Sequence, residues 1–191
     1  MTGLTSPGDT YSFKIRSKNS IGQSVDSNPA YQIIAASKPD PPISFVRNEA
    51  LTTKTQVAFS WSEPVSNGGS PVIDYLIEFD NSLGTFSKIE EFYTSTSFVK
   101  TGLQEGTSYK FRVQARNAVD YSIYSQEFAI IAATVPGKPN APSTTVSGDE
   151  ETIVIDWIVP TNTGGLDVSG YKLYVQKADL TWAEESTSCD A

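Results

Sequence analysis

The sequence predicts an all-β protein of tandem antiparallel β-sandwiches, and three observations carry that reading. Apolar and polar residues alternate at period two over several short runs, the pattern of a strand with one buried face. No window of ten or more residues shows helical spacing. The chain also repeats itself at an offset near one hundred residues, the size of a whole domain rather than of a solenoid unit. Thr2-Gly3-Leu4 and Tyr11-Ser12-Phe13-Lys14-Ile15 recur as Thr101-Gly102-Leu103 and Tyr109-Lys110-Phe111-Arg112-Val113. Lys38-Pro39-Asp40-Pro41-Pro42 recurs as Lys138-Pro139-Asn140-Ala141-Pro142, and Trp61-Ser62-Glu63-Pro64 as Trp157-Ile158-Val159-Pro160.

In chain order, residues 1–36 hold the final two strands of one repeat, residues 37–135 a complete copy, and residues 136–191 the first four strands or so of a third. Within the complete copy, Val57, Phe59 and Trp61 alternate with Ala58, Ser60 and Ser62. Tyr75, Ile77 and Phe79 alternate with Leu76, Glu78 and Asp80. The clearest strand runs through Tyr109, Phe111, Val113 and Ala115, and a last one through Phe128, Ile130 and Ala132. Turn signals separate them: Asn67-Gly68-Gly69-Ser70-Pro71, Asn81-Ser82-Leu83-Gly84, Glu105-Gly106 and Asn117-Ala118-Val119-Asp120. About seven strands in roughly one hundred residues with regularly spaced turns indicate a sandwich.

At this point the residues resemble a known family. Trp61 on the second strand, Tyr75 on the third, Leu103 before the sixth, and Tyr109-x-Phe111-x-Val113-x-Ala115-x-Asn117 are similar to a fibronectin type III domain, an immunoglobulin-like sandwich. The Pro-rich start, Pro39-Asp40-Pro41-Pro42, resembles that family's first strand. Leu4, Tyr11, Phe13, Ile15 and Asn19 match the back half of such a domain, and Pro139, Pro142, Trp157 and Tyr171 the front half. The stretch from Pro64 to Tyr75 resembles the tandem arrays of giant scaffold and surface proteins. Trp61 and Trp157 are then expected as buried plugs between sheets, with Tyr75, Leu103 and Tyr171 in the same structural core. Tyr109 and Tyr11 are expected to form tyrosine corners. Gly68-Gly69 and Gly164-Gly165 supply positive φ after each Trp strand.

Composition narrows the function. Of 191 residues 38% are hydrophobic and 19% charged, and the net charge is -8 with no histidine and a single cysteine, Cys189. Clustered Lys and Arg are absent, which argues against nucleic acid and anionic membranes as partners. No apolar run reaches the roughly 18 residues of a membrane span, and because a polar segment follows Met1 no leader is expected in this segment. No Asn-x-Ser/Thr acceptor occurs. Without histidine there is no Ser-His-Asp triad, no Cys-His pair and no His-based zinc site. The acidic pairs Glu90-Glu91, Asp149-Glu150-Glu151 and Glu184-Glu185 lack calcium-loop spacing and read as solvated turns. No catalytic residue, cofactor site or metal site is therefore expected.

The candidate protein-interaction loop is Asn117–Tyr124, with Asp120, Tyr121 and Tyr124 as its anchors; its bland reading is packing against a neighbouring domain. It carries no Arg-Gly-Asp tripeptide, and Trp61-Ser62 has no second Trp to complete a Trp-Ser-x-Trp-Ser box. The linkers Ala35–Pro39 and Ala132–Pro136 are short and contain proline, which favours a semi-rigid rod. The resemblance implies a non-enzymatic structural or adhesive segment of a larger modular protein. Its partners would be other proteins, including neighbouring repeats or copies of itself, and its place extracellular or at the cell surface, with a cytoplasmic or cytoskeletal scaffold as the alternative. Two further readings stay open: spacer domains of a large extracellular carbohydrate-active enzyme, or a receptor ectodomain. The partial end repeats are expected to be completed by strands of a longer tandem, or by head-to-tail strand complementation between copies, which would build a filament.

Overall fold

A computed structural model describes residues 7–28, 31–146, 148 and 153–185, and every regular element among them is a β-strand. The contacts divide the chain into two compact units, Met1–Ala132 and Ala133–Ala191.

The first unit opens with β1 (Thr10–Phe13) and β2 (Tyr31–Ile34), an antiparallel pair in the register Tyr11 to Ile33. A seven-stranded sandwich follows. One sheet has the order β3-β4-β7, with β3 Ile43–Arg47, β4 Gln56–Ser62 and β7 Ser97–Thr101. The other has the order β6-β5-β8-β9, with β5 Asp74–Phe79, β6 Ser87–Tyr93, β8 Ser108–Arg116 and β9 Phe128–Ile131.

The core follows the alternation. Val57, Phe59 and Trp61 of β4 face Tyr75, Ile77 and Phe79 of β5 and Tyr109, Phe111, Val113 and Ala115 of β8. Phe59 lies 4.8 Å from Phe111, and Trp61 meets Tyr75 edge-on at 5.4 Å. The Tyr109 hydroxyl accepts a hydrogen bond from the Gln104 amide at 2.9 Å, which closes the tyrosine corner and caps the Leu103 turn. Thr52, also buried, accepts from the Ala58 amide at 3.1 Å and ties the turn after β3 to β4.

Some expectations need correction. The first strand begins at Ile43, after Pro39–Pro42, because proline has no N–H to give a ladder. β5 stops at Phe79, since Asp80 turns inward and accepts from the Lys110 amide at 2.8 Å. Leu76, expected on the polar face, is buried. β6 was not legible as a strand because two register shifts against β5, and a left-handed Phe92, break its alternation.

The second unit holds two separate antiparallel pairs: β10 (Ser143–Val146) with β11 (Ile153–Asp156), and β12 (Leu173–Gln176) with β13 (Trp182–Glu185). Trp157 and Tyr171 meet edge-on at 5.4 Å, yet both are half-buried rather than enclosed, because among the described residues these four short strands are the ones around them. The Tyr11 hydroxyl reaches the Asp9 carboxylate at 3.5 Å, and the position matching Gln104, on which its expected corner depends, lies outside the described residues.

Candidate protein-interaction site

The outer face of the four-stranded sheet is built by strand register. β5 and β8 pair Asp74 with Arg116, Leu76 with Gln114 and Glu78 with Arg112, so each arginine stands directly opposite an acid. Arg116 Nε donates to Asp74 Oδ1 at 2.8 Å. Its terminal nitrogen donates to Oδ2, which makes a bidentate pair on a buried carboxylate. The pair holds the guanidinium above its already high ordinary pKa. Arg112 Nε donates to Glu78 Oε2 at 2.7 Å.

Aromatic rings close on both guanidinium groups, in the geometry of cation–π contacts. Arg112 stacks on Tyr124 at 3.8 Å and on Phe86 at 4.3 Å. Arg116 lies 4.7 Å from Phe92 and 5.5 Å from Tyr121. The tyrosine hydroxyls then return to the acids: Tyr124 donates to Glu78 at 2.7 Å and Tyr121 to Glu91 at 3.5 Å. Burial raises both phenol pKa values first. For Tyr124 the bond to Glu78 adds to this, and for Tyr121 the Arg116 charge works against it.

The segment that delivers these rings is Tyr121-Ser122-Ile123-Tyr124-Ser125, a repeated Tyr-Ser unit. Ser122 Oγ accepts from the Ala115 amide and Ser125 Oγ from the Val113 amide, each at 3.0 Å. The Ser122 and Ser125 amides donate back to the Ala115 and Val113 carbonyls at 2.8 and 2.9 Å. Two serines thus extend the sheet by side-chain hydrogen bonds and leave every third residue, a tyrosine, on the outer face. The three anchors read from the sequence are therefore brought together only in part. Tyr121 and Tyr124 join the arginine stack, whereas Asp120 turns to the linker and pairs with Lys38 Nζ at 2.6 Å. That bond, and the Tyr121 amide, lower the Asp120 pKa. Sequence reasoning missed Arg112, Arg116, Phe86 and Phe92; the signal was the i, i+4 arginine pair on the polar face of β8 opposite two acids.

The linker is held by the same loop. Asn117, buried, donates through Nδ2 to the Ser37 carbonyl at 2.7 Å and to the Asn67 carbonyl at 2.8 Å. The Ser37 amide donates to the Gly68 carbonyl at 2.8 Å and the Asp40 amide to the Ser66 carbonyl at 2.9 Å. Two residues upstream, Ala35 exchanges hydrogen bonds with Gly8 and Asp9 at 2.7 and 2.8 Å.

Among the described residues no group of three or more His, Cys, Asp or Glu is placed to hold a metal ion. No helix there is long and apolar enough to cross a membrane. Glu91 pairs with Lys88 and Glu184 with Lys172, so those acids act in surface ion pairs. Asp149-Glu150-Glu151 and Cys189 lie outside the described residues.

Residues 41–130 match the profile of the fibronectin type III domain. The chain is 31% identical to M-protein of striated muscle from Gallus gallus, over 95% of this chain and 13% of that protein. It is 31% identical to a Kelch domain-containing protein of Saccharolobus solfataricus, over 82% of this chain and 20% of the other. Ephrin type-A receptor 6 of Rattus norvegicus is 29% identical over 62% of this chain and 12% of its own length. The chain thus spans a fifth or less of these relatives. Among solved structures, domains A168–A170 of titin superpose with a TM-score of 0.53 at 24% identity, covering 67% of this chain and 42% of that one, a likeness of fold. With its seven strands, its Trp61 core and its tyrosine corner, the central sandwich, matched over residues 41–130, is a fibronectin type III domain.

Proposed function

We propose that this chain is a non-enzymatic spacer and scaffold segment, with residues 1–36 and 136–191 as parts of further fibronectin type III repeats around the complete repeat at 37–135. One observation carries the reading: the connection between β2 and the central sandwich has no slack. Ala35 is bonded to the turn before β1, and Ser37, two residues on, is bonded to both Gly68 and Asn117 of the sandwich. A linker whose polar groups are satisfied on both sides sets a spacing, whereas a solvated one would let its domains wander.

The outer face with Arg112, Arg116, Tyr121 and Tyr124 is the surface on which such a segment meets other proteins. Its side chains are already held in stacks and ion pairs, so little rotamer freedom remains to be lost on contact. A surface-exposed parent and a muscle-type intracellular scaffold are both compatible with relatives that include a receptor and a striated-muscle protein.

Amide hydrogen exchange of the 191-residue chain, read residue by residue, tests the spacer reading. The Ala35, Ser37 and Asp40 amides should be protected to the level of β8. Exchange at the rate of an open loop would overturn it.

A further inference from the structure

The Asn67–Gly69 loop touches more than its own domain. A Cβ placed on Gly69 would lie 2.1 Å from the Gly8 amide nitrogen and 2.5 Å from the Pro7 carbonyl carbon, both backbone atoms that have nowhere to swing. The neighbouring glycine is closed by something else: a Cβ on Gly68 would lie 2.2 Å from the Ser37 carbonyl oxygen and 2.7 Å from that of Lys38. Both residues are left-handed, with φ of 70° and 82°. Gly68 is therefore shut by the domain's own linker, and Gly69 by the Pro7-Gly8 turn of the preceding repeat.

The contact is one-sided. A Cβ on Gly8 would meet Gly69 Cα at 3.7 Å, an ordinary separation, so the turn itself has room and its glycine serves the φ of 93°. The missing side chain that lets the two backbones touch is the one on Gly69.

We propose that Asn67–Gly69 is an acceptor site whose partner is the turn before the penultimate strand of another repeat of this kind, and that Gly69 is the residue that admits it. The left-handed glycines on which the pairing depends recur along the chain. The turn of the central domain, Glu105-Gly106, has the same left-handed glycine at φ 70° and the same bond, Gly106 amide to Ala132 carbonyl at 3.0 Å, that Gly8 makes to Ala35 at 2.7 Å. The second unit carries the matching left-handed pair, Gly164 and Gly165 with φ of 80° and 95°, and Gly164 repeats the linker contact of Gly68: its Cβ would lie 2.2 Å from the Thr134 carbonyl oxygen. The central repeat thus carries an acceptor loop and a donor turn that are different surfaces, the kind of head-to-tail contact that propagates instead of closing on itself. The inference deepens the spacer reading and rests on it.

The test uses the 191-residue chain with Cys189→Ser and spin labels at two exposed positions, Gln32→Cys beside the turn-bearing pair and Thr94→Cys on the sandwich. Pulsed dipolar spectroscopy should give a single narrow distance peak in this parent. Gly69→Ala should abolish the narrow peak while β8 amides stay protected. Gly84→Ala is the control: its φ of 74° imposes the same backbone strain, and nothing lies within 4 Å of its Cβ, so the peak should stay narrow. Gly69→Asn, which tolerates the left-handed region better, should also lose the peak and keeps the test readable should the alanine variant unfold. An unchanged peak in Gly69→Asn, equal broadening in Gly84→Ala, or a broad parent each overturns the proposal. Protected linker amides alongside an unchanged peak would overturn the acceptor site alone and leave the spacer reading standing.

Discussion

The central sandwich and the second unit present the same aromatic pair in two different surroundings. Trp61 and Tyr75 meet edge-on with centroids 5.4 Å apart, and so do Trp157 and Tyr171. The first pair is 4% and 3% exposed, enclosed by β8 and flanked by Phe45 and Tyr93. The second lines an open cavity of about 130 Å³ with Pro139, Pro142 and Leu173. Pair geometry is thus set by short-range sequence, whereas burial requires a second layer brought from about fifty residues further along the chain. Stability lives in the second layer.

Substitutions at matched positions sharpen this contrast. The largest difference is expected at the tryptophans. Trp61→Ala removes a filled core position and should cost roughly 3–5 kcal/mol, while Trp157→Ala, half-exposed already, should cost about 1 kcal/mol or less. Equilibrium unfolding of the two variants decides it; equal losses would mean that the second unit closes its core in solution.

Asparagine comes next. Asn117 is buried and bonds Ser37, Asn67, Val119 and Asp120. Asn117→Ala should therefore cost roughly 2–3 kcal/mol. Its counterpart Asn19 is exposed and accepts from the Ile21 and Gly22 amides. Asn19→Ala should stay within about 0.5 kcal/mol of the parent. Denaturant midpoints at fixed m-value provide the comparison. Tyr109→Phe orphans the Gln104 amide and should cost about 1–2 kcal/mol, against about 0.5 kcal/mol or less for Tyr11→Phe.

The smallest effects are electrostatic and have opposite signs in pH. Tyr124 has a raised phenol pKa. Its contribution is complete below the ordinary value of about 10 and is lost as pH climbs through the raised one. Ultraviolet titration should show a late tyrosinate that moves earlier in Glu78→Gln but stays above the ordinary range, because burial is the larger cause of the rise. Asp120 has a lowered pKa. Its pairing with Lys38 is complete above the ordinary carboxylate range and fades only as pH falls through the lowered value. Protection of the Ser37 amide should therefore persist through mild acid. Salt should weaken it slightly, because both partners are exposed.

Much of this architecture was legible because its signals are local. Period-two alternation fixes which side of β4, β5 and β8 is apolar, since successive side chains point to opposite faces. The Gly-Gly pairs announced positive φ, and the Trp, Leu and Tyr markers announced the sandwich. β6 was illegible because its bulges break the alternation, and the true start of β3 because proline-rich segments read as extended whether or not they pair.

By itself, then, the sequence determined the all-β class, the inward residues of the central repeat, the repeat period and the absence of histidine chemistry, all properties of near neighbours or of composition. Tertiary structure alone decided three other things. It placed Arg112 and Arg116 between rings from β6 and the Tyr121–Tyr124 segment, a meeting that depends on strand order. It enclosed Trp61 while leaving Trp157 half-open, because enclosure depends on distant strands. And it gave adjacent glycines, identical as letters, separate reasons to be glycine: Gly68 faces the Ser37-Lys38 linker and Gly69 the Pro7-Gly8 turn, a distinction made by which backbone lies within reach of a missing Cβ.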